Sequence, residues 1–281
     1  MTPGDLAHRV AAVVVDFHAE DSLRGCIDSL LLNGVKSIIV VENGERGSSA
    51  SALDGRPVAI VEPGLNLGYG RGVNRGVAHA LDHEFVLISN PDVVVHHGAV
   101  AALVEKLDAQ PHVALAGPQI RRPDGSVYPS HRVFPNFWLA GLHALLAPWW
   151  PTNRATLRYR SRHDDGTVDW VSGACFIVRR EVFEEIGGFD ERYFMFAEDM
   201  ALCWELGERG WDVAAVDEAV VTHLEGVSRQ HATRSMQWAH HRSALRFEVQ
   251  TAHGVRRALV PVAALVLAVR LAAVSVMGWR D

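Results

Sequence analysis

Short runs of β-branched residues alternate with amphipathic segments through the first half of the chain, and this alternation restricts the fold more than any other feature. It is typical of a parallel sheet covered by helices, because parallel strands are joined by helix-sized crossovers. We predict one helix capped by Asp21 or Ser22 and another over about Gly72 to Leu81. The fold class is therefore α/β. The predicted strands are Val10–Phe17, Ser37–Val41, Val58–Val61 and Phe85–Ser89.

Polar or glycine-rich residues follow several of these strands. In open α/β sheets, ligands bind beyond the carboxyl ends of the strands. Asn, Gly, Pro and Asp also dominate turns for backbone reasons, so a single such segment would be ordinary turn chemistry. Their recurrence predicts a ligand site at one edge of the sheet. The segments are Asp16-Phe17-His18, Glu42-Asn43-Gly44, Asn66-Leu67-Gly68-Tyr69-Gly70 and Asn90-Pro91-Asp92.

Asp92 lies just after the apolar strand FVLIS and is a candidate metal ligand. A divalent cation such as Mg²⁺ or Mn²⁺ prefers oxygen ligands and usually keeps substrate phosphate in its shell. His223 follows another predicted strand, and a neutral imidazole beside Asp92 would complete a mixed oxygen and nitrogen site. The alternatives are an Asn-Pro-Asp turn and a structural histidine, one of 15 in the chain.

Glu198 and Asp199 begin a predicted amphipathic helix. Acidic residues in a first helical turn are often only partners of the helix dipole, which is the alternative interpretation. A carboxylate that loses water among apolar side chains gains proton affinity, which favours a general base. The apolar side chains that precede this helix are Phe189, Tyr193, Phe194, Met195 and Phe196.

The second half of the chain is richer in aromatic residues, and we expect it to recognise an acceptor. The polar segment Arg154 to Gly166 is predicted to be a mobile loop. One strand is predicted from Val168 through Val178, followed by a short helix, a break at Gly187-Gly188 and the helix that starts near Glu198. The tryptophans of this half include Trp138, Trp149, Trp150 and Trp170.

Charge and cysteine usage exclude some classes of protein. A formal net charge of −6 removes the broad positive field that nucleic-acid binding requires, so no nucleic-acid partner is expected. Cys26, Cys175 and Cys203 lie far apart in apolar contexts, which predicts reduced core residues of a cytosolic protein. The N-terminus lacks the basic start and apolar run of a signal peptide.

Five segments occur in the order found in family 2 glycosyltransferases of the GT-A fold, and the chain resembles the rhamnosyltransferase-like branch over roughly Val10 to Ser228. The resemblance implies a GT-A-like, mostly parallel sheet flanked by helices. The segments are NLGYGRGVNRG (66–76), NPD (90–92), GPQIRRPDGSVYPS (117–130), WVSGACFIVRR (170–180) and GGFDERYFMFAED (187–199).

The resemblance also implies an activity. The chain would be an inverting, metal-dependent enzyme that moves a sugar from a nucleoside diphosphate to a hydroxyl of a lipid-linked saccharide, in cell-wall or polysaccharide synthesis. The rhamnosyltransferase-like branch implies L-rhamnose from a thymidine-diphosphate donor. Galactofuranose, glucose and N-acetylglucosamine are the alternative donor sugars.

Roles for individual residues follow from the resemblance. Asp92 and His223 would hold the divalent cation, and Asp199 would be the catalytic base with Glu198 beside it. The acceptor would lie against Trp170, Ser172 and Gly173. The donor would lie against Asp16, Phe17, Glu42, Asn66, Gly68, Tyr69, Asn74, Asn90 and Asp92.

The chain departs from the family at three places. Asp16-Phe17-His18 stands where the family often has Thr-Tyr-Asn or similar, and Glu42 stands where it commonly has an aspartate that contacts the base. Asn90 replaces the first carboxylate of a strict DxD element. The first two changes lie in the expected base pocket, so the resemblance leaves the nucleotide open.

We expect two regions, a GT-A domain over residues 1–230 and a helical appendage over 231–281. In the appendage, the segment Ala258 to Met277 is almost wholly apolar but contains Pro261 and Arg270. It either lies in the membrane interface near a lipid-linked acceptor or packs as a buried or dimer-forming helix. The first alternative places a cytoplasmic protein on the inner face of the cell membrane.

Two other classes of protein are alternatives. A sugar nucleotidyltransferase would carry a glycine-rich, arginine-bearing loop after its first strand, whereas this chain has DFHAEDSL there. A non-catalytic carbohydrate-binding protein would use the aromatic residues as a sugar platform, but it would have no need of Glu198, Asp199 and His223 together.

Overall fold

The computed structural model describes residues 3–44, 46–134, 150, 152–159, 163, 166–224 and 234–277. Trp138 and Trp149 lie outside the described residues. The helices are α1 (Pro3–Arg9), α2 (Glu20–Leu32), α3 (Ser48–Ala52), α4 (Tyr69–Val77), α5 (Ala99–Ala109), α6 (Arg154–Tyr159), α7 (Arg180–Glu185), α8 (Glu198–Glu208), α9 (Arg234–Thr251) and α10 (Val260–Met277). A 3-10 helix over Gly254–Leu259 joins α9 to α10.

Eleven strands form two sheets among the described residues. They are β1 (Val10–Asp16), β2 (Ser37–Glu42), β3 (Ala59–Val61), β4 (Phe85–Ser89), β5 (Val93–Val95), β6 (Val113–Arg121), β7 (His131–Arg132), β8 (Thr167–Val168), β9 (Trp170–Val171), β10 (Cys175–Arg179) and β11 (Asp212–His223). The main sheet has the order β3-β2-β1-β4-β10-β6-β11-β5, with β8 also paired to β11, and β7 pairs with β9 in a small second sheet.

The main sheet is mostly parallel, which confirms the predicted α/β class. Strands β3, β2, β1 and β4 run parallel, and so do β6 and β11. Strand β10 runs antiparallel between β4 and β6, and β5 runs antiparallel to β11. The carboxyl ends of β1, β2, β4, β6 and β11 therefore meet the starts of β5 and β10 at one edge.

Alternate residues of β1 contact two separate apolar layers, because successive side chains of a strand point to opposite faces. Val10, Ala12 and Val14 pack in the layer covered by α2 and α5. Ala11 and Val13 pack in the layer that includes residues of α4, α7 and α8. Both layers exclude water, which explains why β1 is an unbroken apolar run.

Four sequence-based boundaries are wrong. Ala19, and not Asp21 or Ser22, occupies the N-cap position of α2, where no side-chain capping bond is made. Helix α4 begins at Tyr69, where Gly68 with φ of 84° turns the chain into the helix, and ends at Val77. The single strand predicted from residue 168 to 178 is three short strands, β8, β9 and β10, because Ser172 to Ala174 turn along the sheet edge. The loop predicted over 154–166 contains α6.

The C-terminal helices pack against the rest of the molecule. Helix α9 contacts α8 and α10, and the Tyr193 hydroxyl donates a hydrogen bond of 2.9 Å to Gln250. Pro261 lies in the first turn of α10, where proline is tolerated because no partner for its missing N–H is needed. The division at residue 230 stays a prediction.

Part of α10 presents apolar side chains to solvent. Among the residues whose side chains the structure describes, no helix is long and apolar enough to cross a membrane. Membrane-interface association of α10 also stays a prediction. Its exposed apolar residues are Val262, Leu265, Val266 and Val269.

Helix α4 packs closely against the sheet at Gly76, where an added Cβ would overlap the side chain of Val13. We predict that Gly76→Ala lowers the free energy of unfolding by about 1–3 kcal/mol through overpacking. Gly25→Ala in α2 is the matched control, because nothing lies within 4 Å of its added Cβ. The control should be neutral or stabilising by up to about 1 kcal/mol. Urea denaturation of both variants tests this, and equal stabilities would contradict the packing argument.

Candidate active site

Asp92 and His223 meet at the edge of the sheet because β5 and β11 are paired in register. Val93 pairs with His223, so Asp92, the residue before β5, lies beside the imidazole. His223 Nε2 is 3.1 Å from Asp92 Oδ1, and the backbone N–H of Leu224 donates to Asp92 O at 2.9 Å. The sequence prediction that these two side chains converge is therefore confirmed by the geometry.

The Asp92 carboxylate is 4% exposed, and its Oδ2 has no hydrogen-bond partner among the described residues. A buried carboxylate oxygen without a partner is costly, and a bound cation would satisfy it. The described part of the chain holds no group of three or more His, Cys, Asp and Glu side chains arranged for a metal. The pair therefore suits a cation that takes its other ligands from substrate phosphates and water.

The segment Ser172 to Ala174 connects this pair to α8. Because Cys175 pairs with Ser89, the start of β10 lies beside the end of β4, and Asn90 N donates to Ala174 O at 2.8 Å. Gly173 N donates to Asp199 Oδ2 at 2.8 Å. An added Cβ at Gly173 would lie 3.2 Å from Asp199 Cβ, so the close approach favours glycine.

Tyr69 lies among the candidate carboxylates. Its hydroxyl donates to Gly173 O at 2.7 Å. Burial raises the pKa of Tyr69 well above its usual value, and the charges of Glu198, Asp199 and Asp92 raise it further. Because Gly173 bonds both Tyr69 and Asp199, the phenol O–H lies beside the candidate base and remains protonated.

Glu198 and Asp199 differ in their hydrogen bonding although they are neighbours. Glu198 is 7% exposed, and its Oε2 lacks a partner among the residues the structure describes. Burial, and then the charge of Asp199, raise the pKa of Glu198 to about 8. Asp199 accepts backbone N–H groups from Gly173 and from Met200, both at 2.8 Å. Burial raises the pKa of Asp199, and these bonds act in the opposite direction by favouring its charged form.

The backbone before α8 is strained. Phe196 and Ala197 have φ of 68° and 59°, a region that residues other than glycine enter at a cost of about 1–3 kcal/mol each. Phe194 O accepts Tyr69 N at 3.0 Å, and Ser243 Oγ donates to Met195 O at 2.8 Å. These contacts hold the turn that directs both carboxylates toward the sheet edge.

Asp16 and Glu42 are paired in register at the ends of β1 and β2, and both are buried. Ser49 Oγ donates to Asp16 at 2.6 Å, and burial raises the pKa of Asp16. Burial acts the same way on Glu42, but hydrogen bonds from the N–H groups of Ser49 and Gly47 hold its pKa below the ordinary value. Internal bonds thus occupy both carboxylates, whereas Phe17 is 45% exposed.

Asn66 and Asn74 have different places in the site. Asn66 Oδ1 accepts Gly68 N at 2.8 Å and so shapes the turn into α4. The Asn74 amide bonds the backbone of Phe189 twice, at 2.9 Å each, and ties α4 to the segment before α8. Asn74 therefore links two chain segments, and its predicted contact with the nucleotide-sugar donor stays a prediction.

The three predicted acceptor residues make different contacts. Trp170 is 7% exposed, and its Nε1 donates to Val133 O at 3.3 Å. Ser172 N donates to Ser130 O at 2.9 Å. Gly173, which contacts Asp199 directly, is the member of this set that the structure places at the candidate base.

Two residues of the site were missed from the sequence. Asn43 Nδ2 donates to Asn66 Oδ1 and to Gly68 O, both at 3.1 Å, and so fixes the loop before α4. Arg132 lies with its guanidinium 5.1 Å from the Trp170 ring, and its charge acts on Asp199. Both residues lie in or beside segments the sequence had marked, but their partners are distant in the chain.

Comparisons with known proteins bear on the family and the fold of the chain. The family described as "Glycosyltransferase like family 2" matches residues 8–246. An N-acetylglucosaminyl-diphospho-decaprenol L-rhamnosyltransferase of Mycobacterium tuberculosis is 38% identical over 226 residues, which cover 75% of this chain and 74% of that protein.

Solved structures share the fold at low identity. GalNAc-T7 with UDP, GalNAc and Mn²⁺ has a TM-score of 0.57 at 12% identity, and the match covers 92% of this chain and 55% of that one. This chain thus spans about half the length of that structure. Glucosyl-3-phosphoglycerate synthase of Mycobacterium tuberculosis with Mn²⁺, UDP and phosphoglyceric acid has a TM-score of 0.55 at 18% identity, covering 84% of this chain and 79% of that one.

The protonated state of Glu198 predicts a pH-dependent stability. Between pH 4.5 and about 8 the folded chain keeps a proton on Glu198 that the unfolded chain releases, so stability falls as pH rises through this window. Glu198→Gln removes this loss. We expect the melting temperature of the variant minus that of the wild type to increase by more than about 2–4 °C between pH 5 and 8.

Glu208→Gln is the matched control, because it removes an exposed carboxylate from the same helix. Its melting-temperature difference from the wild type should stay constant over the same pH range. A constant difference for Glu198→Gln as well would show that Glu198 ionises normally in the folded protein.

Proposed function

This chain belongs to glycosyltransferase family 2, and we propose that it transfers L-rhamnose from a thymidine-diphosphate donor to a hydroxyl of a lipid-linked N-acetylglucosamine. The observation that supports the proposal is the Asp92–His223 contact at the sheet edge where the 172–174 turn bonds both Asn90 and Asp199, in a chain 38% identical to a rhamnosyltransferase named for such an acceptor. Galactofuranose, glucose and N-acetylglucosamine are the alternative sugars.

Asp92 and His223 would hold a divalent cation beside the donor diphosphate. Structures of the same fold contain Mn²⁺ with UDP, which supports divalent cation use by the family. When bound, Mg²⁺ or Mn²⁺ supplies positive charge that neutralises the diphosphate as it leaves. The Asp92 Oδ2 atom supports this role, because it accepts no hydrogen bond from the part of the chain that the structure describes.

Asp199 would act as the general base in a single displacement. It takes the proton of the acceptor hydroxyl while the hydroxyl oxygen attacks the anomeric carbon. The bond from that carbon to the phosphate oxygen breaks, so the nucleoside diphosphate leaves with the bonding electrons and the anomeric configuration inverts. Each Asp199 oxygen has two lone pairs, so the backbone bonds from Gly173 and Met200 leave acceptor capacity for this proton.

Glu198 would support Asp199 by remaining protonated. A second negative charge beside Asp199 would repel both the diphosphate and the ionised base. With a pKa of about 8, Glu198 stays neutral at pH 7 and keeps a single negative charge on the pair. The aromatic side chain of Phe17, which is exposed beside buried Asp16 and Glu42, would stack on the donor base.

We predict that Asp199→Asn lowers kcat by at least about 100-fold, because the amide cannot accept the proton. The dissociation constant for the donor should change less than about twofold, since the interaction is made only as the hydroxyl is deprotonated. Asp124→Asn, in an exposed turn, is the matched control and should keep wild-type turnover. Steady-state release of nucleoside diphosphate measures kcat, and full activity of Asp199→Asn would disprove the assignment.

Removing either candidate metal ligand should weaken the response to the cation. For Asp92→Asn and for His223→Gln, we expect the Mn²⁺ concentration at half-maximal activity to rise by roughly tenfold or more. His96→Gln is the control. His96 Nε2 lies 2.8 Å from the Thr222 hydroxyl of β11, but the His96 side chain is exposed. An unchanged Mn²⁺ response in both ligand variants would exclude this pair as the metal site.

The donor and the acceptor are tested together with a panel of nucleotide-sugars and a prenyl-diphosphate-linked N-acetylglucosamine. Metal-dependent release of thymidine diphosphate, with rhamnose found on the acceptor, is the expected result. Release of pyrophosphate would instead identify a nucleotidyltransferase. Transfer of another sugar would retain the enzyme class and correct the donor.

A further inference from the structure

A groove of about 770 Å³ lies between the start of α4, the segment before α8 and the helix α9. This volume is in the range of small-ligand sites. Four arginines and one glutamate line it, so the groove carries excess positive charge although the whole chain is acidic. The charged lining residues are Arg71, Arg192, Arg242, Arg246 and Glu191.

The four arginines are not equally available to a ligand. Arg192 is held by Asp190 at 2.6 Å, and Arg71 lies 3.7 Å from Glu191. Among the residues described, neither Arg242 nor Arg246 has a carboxylate within 4.0 Å. Arg246 lies over the ring of Tyr193 at 5.9 Å, which orients its guanidinium without neutralising it.

The groove adjoins the segment that leads into α8. Phe194 lines the groove and accepts the N–H of Tyr69, and Ser243 lines it and donates to Met195 O at 2.8 Å. Three residues after Met195, the chain reaches Glu198. A ligand in the groove therefore lies beside the segment that precedes the candidate base.

An apolar side chain also lines the groove. The ring of Trp238 lies in the lining and is 61% exposed. An anionic head bound by the arginines would thus have an apolar side chain within the same groove.

We propose that this groove binds the diphosphate of a prenyl-diphosphate-linked acceptor, with Arg242 and Arg246 contacting the phosphate oxygens and Trp238 contacting the prenyl chain. The inference rests on the proposed function, because it supplies that acceptor with a specific site. Guanidinium groups bind phosphate oxygens through paired N–H donors, and the ring of Trp238 offers an apolar face. The saccharide, attached to the diphosphate, would then extend toward Asp199.

Binding of farnesyl diphosphate to the full chain tests the site without requiring any transfer. We expect the Kd for farnesyl diphosphate to be at least about tenfold higher in the double variant Arg242→Gln/Arg246→Gln. A hydrogen bond to a charged group contributes more to binding than a hydrogen bond between neutral groups. Trp238→Ala should weaken farnesyl diphosphate but leave inorganic pyrophosphate unchanged. Arg75→Gln is the matched control, since Arg75 is exposed on the same helix as Arg71 but does not line the groove.

Three outcomes would overturn the proposal, and two of them would identify a different occupant. Equal Kd values of the double variant and the wild type for farnesyl diphosphate would overturn the proposal. A tenfold loss of thymidine-diphosphate affinity in the double variant would overturn it in favour of a donor site. If the double variant lost as much affinity for phosphatidylglycerol vesicles that contain no prenyl diphosphate as for farnesyl diphosphate, the proposal would be overturned in favour of a general membrane contact. Because these tests measure binding, their result does not depend on whether the protein transfers rhamnose.

Discussion

The register of two antiparallel strand pairs is the constraint on which the site depends. Val93 opposite His223 places Asp92 beside an imidazole, and Cys175 opposite Ser89 places the 172–174 turn beside Asn90. A shift of one residue in either pair would turn every side chain of the strand to the other face. Most side chains of β5 and β10 are buried in the apolar core, so such a shift would expose apolar surface. Core packing thus sets the site geometry.

Burial of charge gives the site its chemical character. Glu198 and Asp199 are neighbours at the edge of an apolar layer, and backbone N–H groups solvate Asp199 but not the Glu198 Oε2. Burial raises the pKa of both carboxylates, and the backbone hydrogen bonds oppose that rise at Asp199. The strained Phe196 and Ala197 are retained because contacts from α4 and α9 hold the turn.

The appendage predicted for the C-terminal region contributes to the wall of the site. Helix α9 supplies the bond from Ser243 to the turn before α8 and the arginines that face the groove. The two alternatives for α10, membrane interface or protein packing, are therefore compatible, because one side contacts α9 while Leu265 and Val269 are exposed. A lipid-linked acceptor needs a cationic contact for its diphosphate and an apolar contact for its chain, and Arg242, Arg246 and Trp238 of α9 line one groove.

The sequence alone determined the α/β class, the buried parallel strands and the candidates Asp92, Asp199 and His223, because hydrophobic periodicity and residue chemistry are local properties. Tertiary structure decided which candidates meet, how Asn74 is used and where Arg132 and Arg242 act. It also divided the predicted 168–178 strand and moved the start of α4 to Tyr69. The reason is physical: partners such as Gly173 and Tyr69 are 104 residues apart, and only packing of the sheet and helices brings them within hydrogen-bond distance.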